Sequence, residues 1–233
     1  MTDGRGLVLF GDVVAARRDS AGSTAWLRDL VAELDSAYGN DRLGPFGFTQ
    51  GDELQGLLAA AADPVTAVLR AACAPGGRRM RWVAVRGQVD EDATGGKAPA
   101  TERTGPAFVA ARKAIDEART SHERLVILTG EAAVDLLLAD LTPALVDMLD
   151  GLTERQRTVA RLALIEDLRQ SEVADRLKVR RATISVSFSR ARVRPLQRLV
   201  EGIRRVYSAG SSDPSMAAPG SAEETRADRG GQP

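Results

Sequence analysis

The sequence predicts a chain of α+β or α/β class in two units: a single-sheet α/β sandwich over residues 1–130 and an all-helical unit over residues 152–207. A helical connector at 131–151 joins them, and a tail follows at 208–233. Three observations carry this reading. Apolar segments of strand length alternate with segments of helical period as far as Leu128, the mark of a sheet covered by helices. After Gly130 no further strand-like segment occurs. Charge also divides between the halves: residues 152–207 hold 14 Lys+Arg against 6 Asp+Glu, and the remainder holds 18 against 26, so a formal net charge of zero conceals a basic unit on an acidic one.

Bulk composition bounds the chemistry. With 233 residues and 43% hydrophobic content, the chain can bury one large core or two modest ones, and two small domains fit the length. Cys73 is the single cysteine and His122 the single histidine, which excludes an intrachain disulfide and any conventional His/Cys metal centre and leaves carboxylates as metal ligands. The polar start and the short apolar run ending at Asp12 fit neither a signal peptide nor a membrane span, so a cytoplasmic protein with no membrane partner is expected.

The elements follow in order. Leu7-Val8-Leu9-Phe10 reads as a buried strand running into Gly11-Asp12, and Trp26, Leu27, Leu30, Val31 and Leu34 mark a helix over residues 24–38. The runs at 46–49 and 54–58 flank Gln50-Gly51-Asp52-Glu53 as the arms of a hairpin. A helix at 64–74 begins with a proline in its first turn. A strand at 80–89, a polar loop at 90–104, a helix at 106–119 and a strand at 125–128 complete the sandwich. Two short helices are expected at 132–138 and 143–149, then three helices ending near Tyr207. The tail is Ser, Ala, Gly, Pro and charge, too poor in apolar residues to offset its ordering entropy. Trp26 and Trp82 read as core, Cys73 as a small buried hydrophobe and His122 as a surface residue.

The basic unit contains a two-helix motif. Thr153 and Gln156 have capping-box spacing ahead of Val159, Leu162, Ala163 and Ile165. In the segment from Gln170 to Leu177, Val173, Ala174 and Leu177 share a face; Lys178-Val179-Arg180 form a turn, and a second helix running from Arg181 to Arg192 places Ile184, Phe188 and Ala191 inward. A small residue where two helices cross, an apolar plug in the turn and a polar outer face are what a helix-turn-helix requires. Thr153-Glu154-Arg155-Gln156, Val173-Ala174-Asp175-Arg176-Leu177 and Arg181-Ala182-Thr183-Ile184-Ser185 closely resemble the helix-turn-helix of sigma-factor region 4 and related bacterial regulators, with Lys178 where a turn glycine is usual. Glu201 is the sole acid between Lys178 and Tyr207, and duplex DNA phosphates are the natural counter-charge. The resemblance implies that Arg181, Thr183, Ser185 and Ser189 face base edges and nearby phosphates. Arg169, Gln170, Arg180, Arg190, Arg192 and Arg194 complete the expected DNA-binding surface, and the downstream arginines Arg198, Arg204 and Arg205 act as backbone clamps.

The acidic unit carries Gly11-Asp12 at a strand end and Gly51-Asp52-Glu53 at a hairpin tip. Paired carboxylates on neighbouring strands can hold Mg²⁺ against a nucleotide phosphate, and acids at strand ends equally cap turns. Phe10-Gly11-Asp12-Val13-Val14 with Arg17, the run from Thr49 to Leu58 and the run from Gly105 to Ile115 are similar to the SatD family of small bacterial proteins over about the first 130 residues. The order of pieces also resembles the class III nucleotide cyclase fold, in which two aspartates on adjacent strands bind metal. That resemblance implies Asp12 and Asp52 as metal ligands and Arg112 as a phosphate-facing group; Arg17, Glu53 and Gln55, from the SatD-like runs, complete the candidate ligand-binding set. The cyclase pattern has an Asn four residues before the arginine and a Lys four before the second aspartate, where this chain has Phe108 and Phe48. An apolar ring stabilises neither a developing phosphate charge nor a base edge. The implied domain is therefore a scaffold for dimerisation and for sensing a nucleotide or cyclic nucleotide, with no required cofactor and Mg²⁺ or a nucleotide as candidate ligands. Taken together the sequence describes a homodimeric DNA-binding transcriptional regulator. The competing descriptions are a Mg²⁺-dependent nucleotide-processing enzyme and an RNA-polymerase or sigma-factor interaction module.

Overall fold

A computed structural model describes residues 4–14, 20–48, 53–91 and 97–210. Arg17, Asp52 and residues 211–233 of the predicted tail lie outside them, whereas Ser208 and Ala209, placed in that tail by composition, continue the last helix. One mixed sheet holds β1 (Arg5–Val13), β2 (Gly47–Phe48), β3 (Glu53–Ala59), β4 (Met80–Gln88) and β5 (Leu125–Leu128) in the order β2-β3-β1-β4-β5. β1 pairs antiparallel with both β3 and β4, whereas β4 and β5 run parallel. A parallel pair needs a crossover, and α3 (Pro106–Ser121) supplies it.

The central strands are buried on both faces, which is why Leu7-Val8-Leu9-Phe10 is continuously apolar and does not alternate. On one face Leu7, Leu9, Leu54, Leu58, Trp82 and Ala84 meet α1 (Ser20–Tyr38), α2 (Pro64–Ala72) and the C-terminal helices. On the other, Val8, Phe10, Leu57, Val83 and Val85 pack beneath Ala107, Phe108, Ala111 and Ile115 of α3. Two glycines are dictated by this packing. A Cβ on Gly11 would stand 2.8 Å from the Trp82 ring, and a Cβ on Gly56 would overlap the ring of Phe46.

The helical half departs from expectation in two places. Residues 132–150 form one helix, α4 (Ala132–Asp150), with Pro143 inside it. A mid-helix proline costs about 3 kcal/mol; here burial of Leu138, Thr142, Leu145, Val146 and Leu149 along one stripe keeps the helix whole. Four helices follow where three were expected: α5 (Glu154–Leu164), α6 (Gln170–Arg176), α7 (Arg181–Arg190) and α8 (Val193–Ala209). The cause of the extra break is Pro195, whose ring would collide with the Ala191 carbonyl if α7 and α8 were continuous. Arg192 instead takes a left-handed conformation, φ 51°, between them.

The amphipathic α8 ties the halves together. Arg204 Nε donates to Asp63 Oδ2 at 2.8 Å, Tyr207 donates its hydroxyl to the Ala60 carbonyl at 3.2 Å, and the buried Arg86 guanidinium lies 4.0 Å over the Tyr207 ring. One contiguous hydrophobic cluster runs from Leu7 and Leu9 to Ile203 and Tyr207, with Val159, Val173 and Ile184 as members. Among the described residues no helix is long and apolar enough to cross a membrane.

Candidate functional site

The two-helix unit is built as its residue types require. Thr153 and Gln156 close a reciprocal capping box at the start of α5, with N–H donations of 2.8 and 3.4 Å. Glu172 accepts the Arg169 N–H at 2.7 Å and so opens α6. Val173 and Ala174 of α6 and Ile184 of α7 are buried against each other and α5, with Phe188 and Val179 half-buried at the margin. The turn is closed by Val179 N–H donating to the Ala174 carbonyl at 3.0 Å, and Lys178 adopts φ 54° there, the left-handed geometry that a glycine would take without strain.

This packing leaves the other face of α7 open. Arg181, Thr183, Ser185, Ser189 and Arg190 are exposed along it, Arg169 and Arg180 are exposed before the two helices, and Arg192 and Arg194 are exposed after them. Arg192 belongs to the α7–α8 junction and not to the helix, for the reason given by Pro195. Gln170, Ser185, Phe188, Ser189, Arg192 and Arg194 line one groove of about 490 Å³. Among the described residues no carboxylate pairs with Arg180, Arg181, Arg190, Arg192, Arg194 or Arg198. Arg204 is different: its contact with Asp63 removes it from the predicted set of backbone clamps.

The acidic strand pair has a contrasting geometry. Asp12 on β1 and Glu53 on β3 are direct cross-strand partners, both buried and facing α3. Asp12 Oδ2 accepts from Arg81 Nη1 at 3.0 Å and from Arg119 Nε at 3.1 Å. Glu53 accepts two bonds of 2.6 Å from Arg112 and a third, at 3.4 Å, from Arg119, while Gln55 Nε2 donates to it at 2.9 Å. Arg112 also lies 4.8 Å over the Phe10 ring. Burial opposes ionisation of Glu53, but the hydrogen bonds from Arg112 and Gln55 and the nearby arginine charges outweigh it and hold the carboxyl below its ordinary range.

Of the residues singled out in the sequence, Asp12, Glu53, Gln55 and Arg112 are thus brought together, and Arg17 and Asp52 lie outside the described residues. A divalent cation at Asp12 would have to displace a guanidinium. Among the described residues no three His, Cys, Asp or Glu side chains converge. Arg81 and Arg119 were not singled out. Arg119 follows Arg112 by seven residues, so both lie on one face of α3, and Arg81 stands opposite Asp12 in the β1–β4 register; spacing carried the first signal and only the register the second. No protein-family model, curated protein or solved structure gives a significant match to this chain.

Proposed function

We propose that the chain is a DNA-binding transcriptional regulator that works in the cytoplasm, with α7 as the element entering the major groove of duplex DNA. The observation that carries this reading is the set of exposed arginines, with no carboxylate partner among the described residues, around the outer face of a short helix whose inner face packs through Ile184 and Phe188. Phosphates answer unpaired cations that no protein carboxylate neutralises, and Ser185 and Ser189 offer short polar groups between them. The SatD-like and cyclase-like α/β unit serves dimerisation and the sensing of a nucleotide or cyclic nucleotide; supporting it is the split βαββαβ order of β1, α1, β2, β3, α2 and β4, with half-exposed Arg112 and Arg119 beside the acidic pair. Two copies supply two reading helices, which one short helix alone needs to compete against a genome of non-specific sites.

The test is selection of bound duplexes from a random pool with the full chain, followed by titration of the enriched site at several salt concentrations. A steep loss of affinity with salt, a preference for the enriched site and two protomers per duplex are expected. Equal affinity for all duplexes, or none, would overturn the reading. Addition of nucleotides or cyclic nucleotides in the same titration tests the sensing role by a shift in the DNA affinity.

A further inference from the structure

The strand β5 stands at one edge of the sheet, and its outer side lines a groove of about 260 Å³. Leu125, Val126, Ile127 and Leu128 form one wall; Ala139, Thr142, Pro143 and Val146 of α4 form the other. Trp82 N–H donates to the Arg124 carbonyl at 2.8 Å, with Trp82 opposite Leu125 and Ala84 opposite Ile127. A parallel ladder in this phase uses the peptide groups of Arg124, Val126 and Leu128, and turns those of Leu125 and Ile127 outward. Both residues are buried, at 5% and 3% exposure, yet among the described residues nothing pairs with their outward N–H and C=O groups. Buried backbone groups are nearly always paired. Pro143 lacks the N–H that would serve the Ala139 carbonyl in the same groove.

The rim of this groove is acidic at both ends. Arg124 Nη1 donates to Asp150 at 2.8 Å, which sets the end of α4, with Asp147, beside Glu123 at the start of β5. Asp135 accepts from Thr129 N and Oγ1 at 2.7 Å, which sets its start beside the end of the strand. α4 contains no Lys or Arg. Glu123 and Asp147 are exposed and pair with no cation among the described residues. A second copy of this edge would bring the same carboxylates against them.

We propose that the β5 edge receives an extended, basic segment of a partner protein, which adds to the sheet as a further strand. Strand addition satisfies the outward groups of Leu125 and Ile127 through the partner's main chain, the apolar walls take its alternate side chains, and its basic residues meet the acidic ends. This contact is separate from the DNA surface and does not depend on that reading.

The test uses the full chain and the amidated heptapeptide Lys-Lys-Val-Ile-Val-Lys-Lys, followed by titration calorimetry and amide hydrogen exchange. Saturable binding is expected, together with slowed exchange at the Leu125 and Ile127 amides. Replacing the four lysines by glutamate, or N-methylating the three central amides, should weaken binding at least tenfold. So should the double variant Glu123→Lys with Asp147→Lys, both exposed and outside the core. Equal binding of the acidic or the methylated peptide, or unchanged exchange at the two amides, would overturn the proposal. So would protection of those amides in the protein alone that vanishes on dilution, which assigns the edge to a second copy. Binding that emerges only after deletion of residues 211–233 would assign it to the chain's own tail.

Discussion

Two arginine-rich regions of the molecule use the same side chain to opposite ends. Around α7, Arg180, Arg181, Arg190, Arg192 and Arg194 are exposed and pair with no carboxylate among the described residues. Between the sheet and α3, Arg81, Arg112 and Arg119 close on Asp12 and Glu53. Arginine counts alone do not distinguish the two, because what differs is whether the fold supplies the counter-charge. Where it does, guanidinium groups contribute to a fixed polar layer; where it does not, they remain free for an outside anion.

The largest expected effect breaks the paired region. Asp12→Ala leaves Arg81, a side chain only 10% exposed, without its carboxylate, and takes one of the partners from Arg119. Removing one member of a buried ion pair typically costs about 3–5 kcal/mol, because the other charge stays desolvated. Denaturant unfolding should therefore show a large fall in midpoint for Asp12→Ala. A loss within the ordinary surface range of about 0.5 kcal/mol would show that Arg81 finds water, and that the two regions differ less than the geometry implies.

The matching experiment on the open region inverts the readout. Arg181→Ala removes an exposed side chain with no partner among the described residues, so stability should stay within about 0.5 kcal/mol of the parent. Affinity for a selected duplex should fall by about 1–3 kcal/mol if the guanidinium reaches a base edge. Unchanged affinity would remove Arg181 from the reading face. A uniform loss across all sequences, with a shallower salt dependence, would reassign it to phosphate.

The contrast between the regions also explains what could be read from the sequence. Strands β1, β4 and β5 and helices α1, α2 and α3 are local: continuous apolar runs, a 3.6-residue period and a first-turn proline mark them. The helix pair α6–α7 was legible for the same reason, since Ala174, Val179 and Ile184 lie within a dozen residues of one another. α4 was not, because the packing that keeps it whole across Pro143 comes from α8 and the sheet. Arg204 was misplaced because Asp63, its partner, is 141 residues away. The Asp12–Arg81 pair needs the β1–β4 register, and no local pattern encodes that alignment.

A smaller effect sharpens the account of the acidic pair through pH. Because Glu53 is held below its ordinary value of 4.5, the folded state keeps it ionised where the unfolded chain has begun to take up a proton. Its contribution is fully present above that value and is lost as pH falls through the lower folded value. The unfolding free energy of the parent should therefore decline on acidification below about pH 4.5 more steeply than that of Glu53→Gln. Parallel profiles would mean that Arg112, whose side chain is 46% exposed, does not hold the carboxylate in solution. Cys73 offers an independent reporter of the same unfolding: burial pushes its thiol up to about 11, so modification at neutral pH should follow global opening in both proteins.

The smallest effect concerns Lys178, where backbone strain and charge make separate predictions. A non-glycine residue at φ 54° carries a left-handed conformation that costs roughly 1–2 kcal/mol, and glycine adopts it freely. Glycine also widens the unfolded ensemble by about 0.4–1 kcal/mol, so the net gain from Lys178→Gly should be no more than about 1 kcal/mol. The melting temperature should rise slightly, because the turn joining α6 to α7 relaxes while Val179 keeps its bond to Ala174. DNA binding separates the second role. If Lys178 contributes only to the turn, affinity and salt dependence stay as in the parent. If its exposed ammonium contacts phosphate, affinity falls evenly over all sequences and the salt slope decreases by about one charge. A lower melting temperature for Lys178→Gly would show that the left-handed turn is stabilised by the lysine itself, and that the departure from the usual glycine is adaptive in this chain.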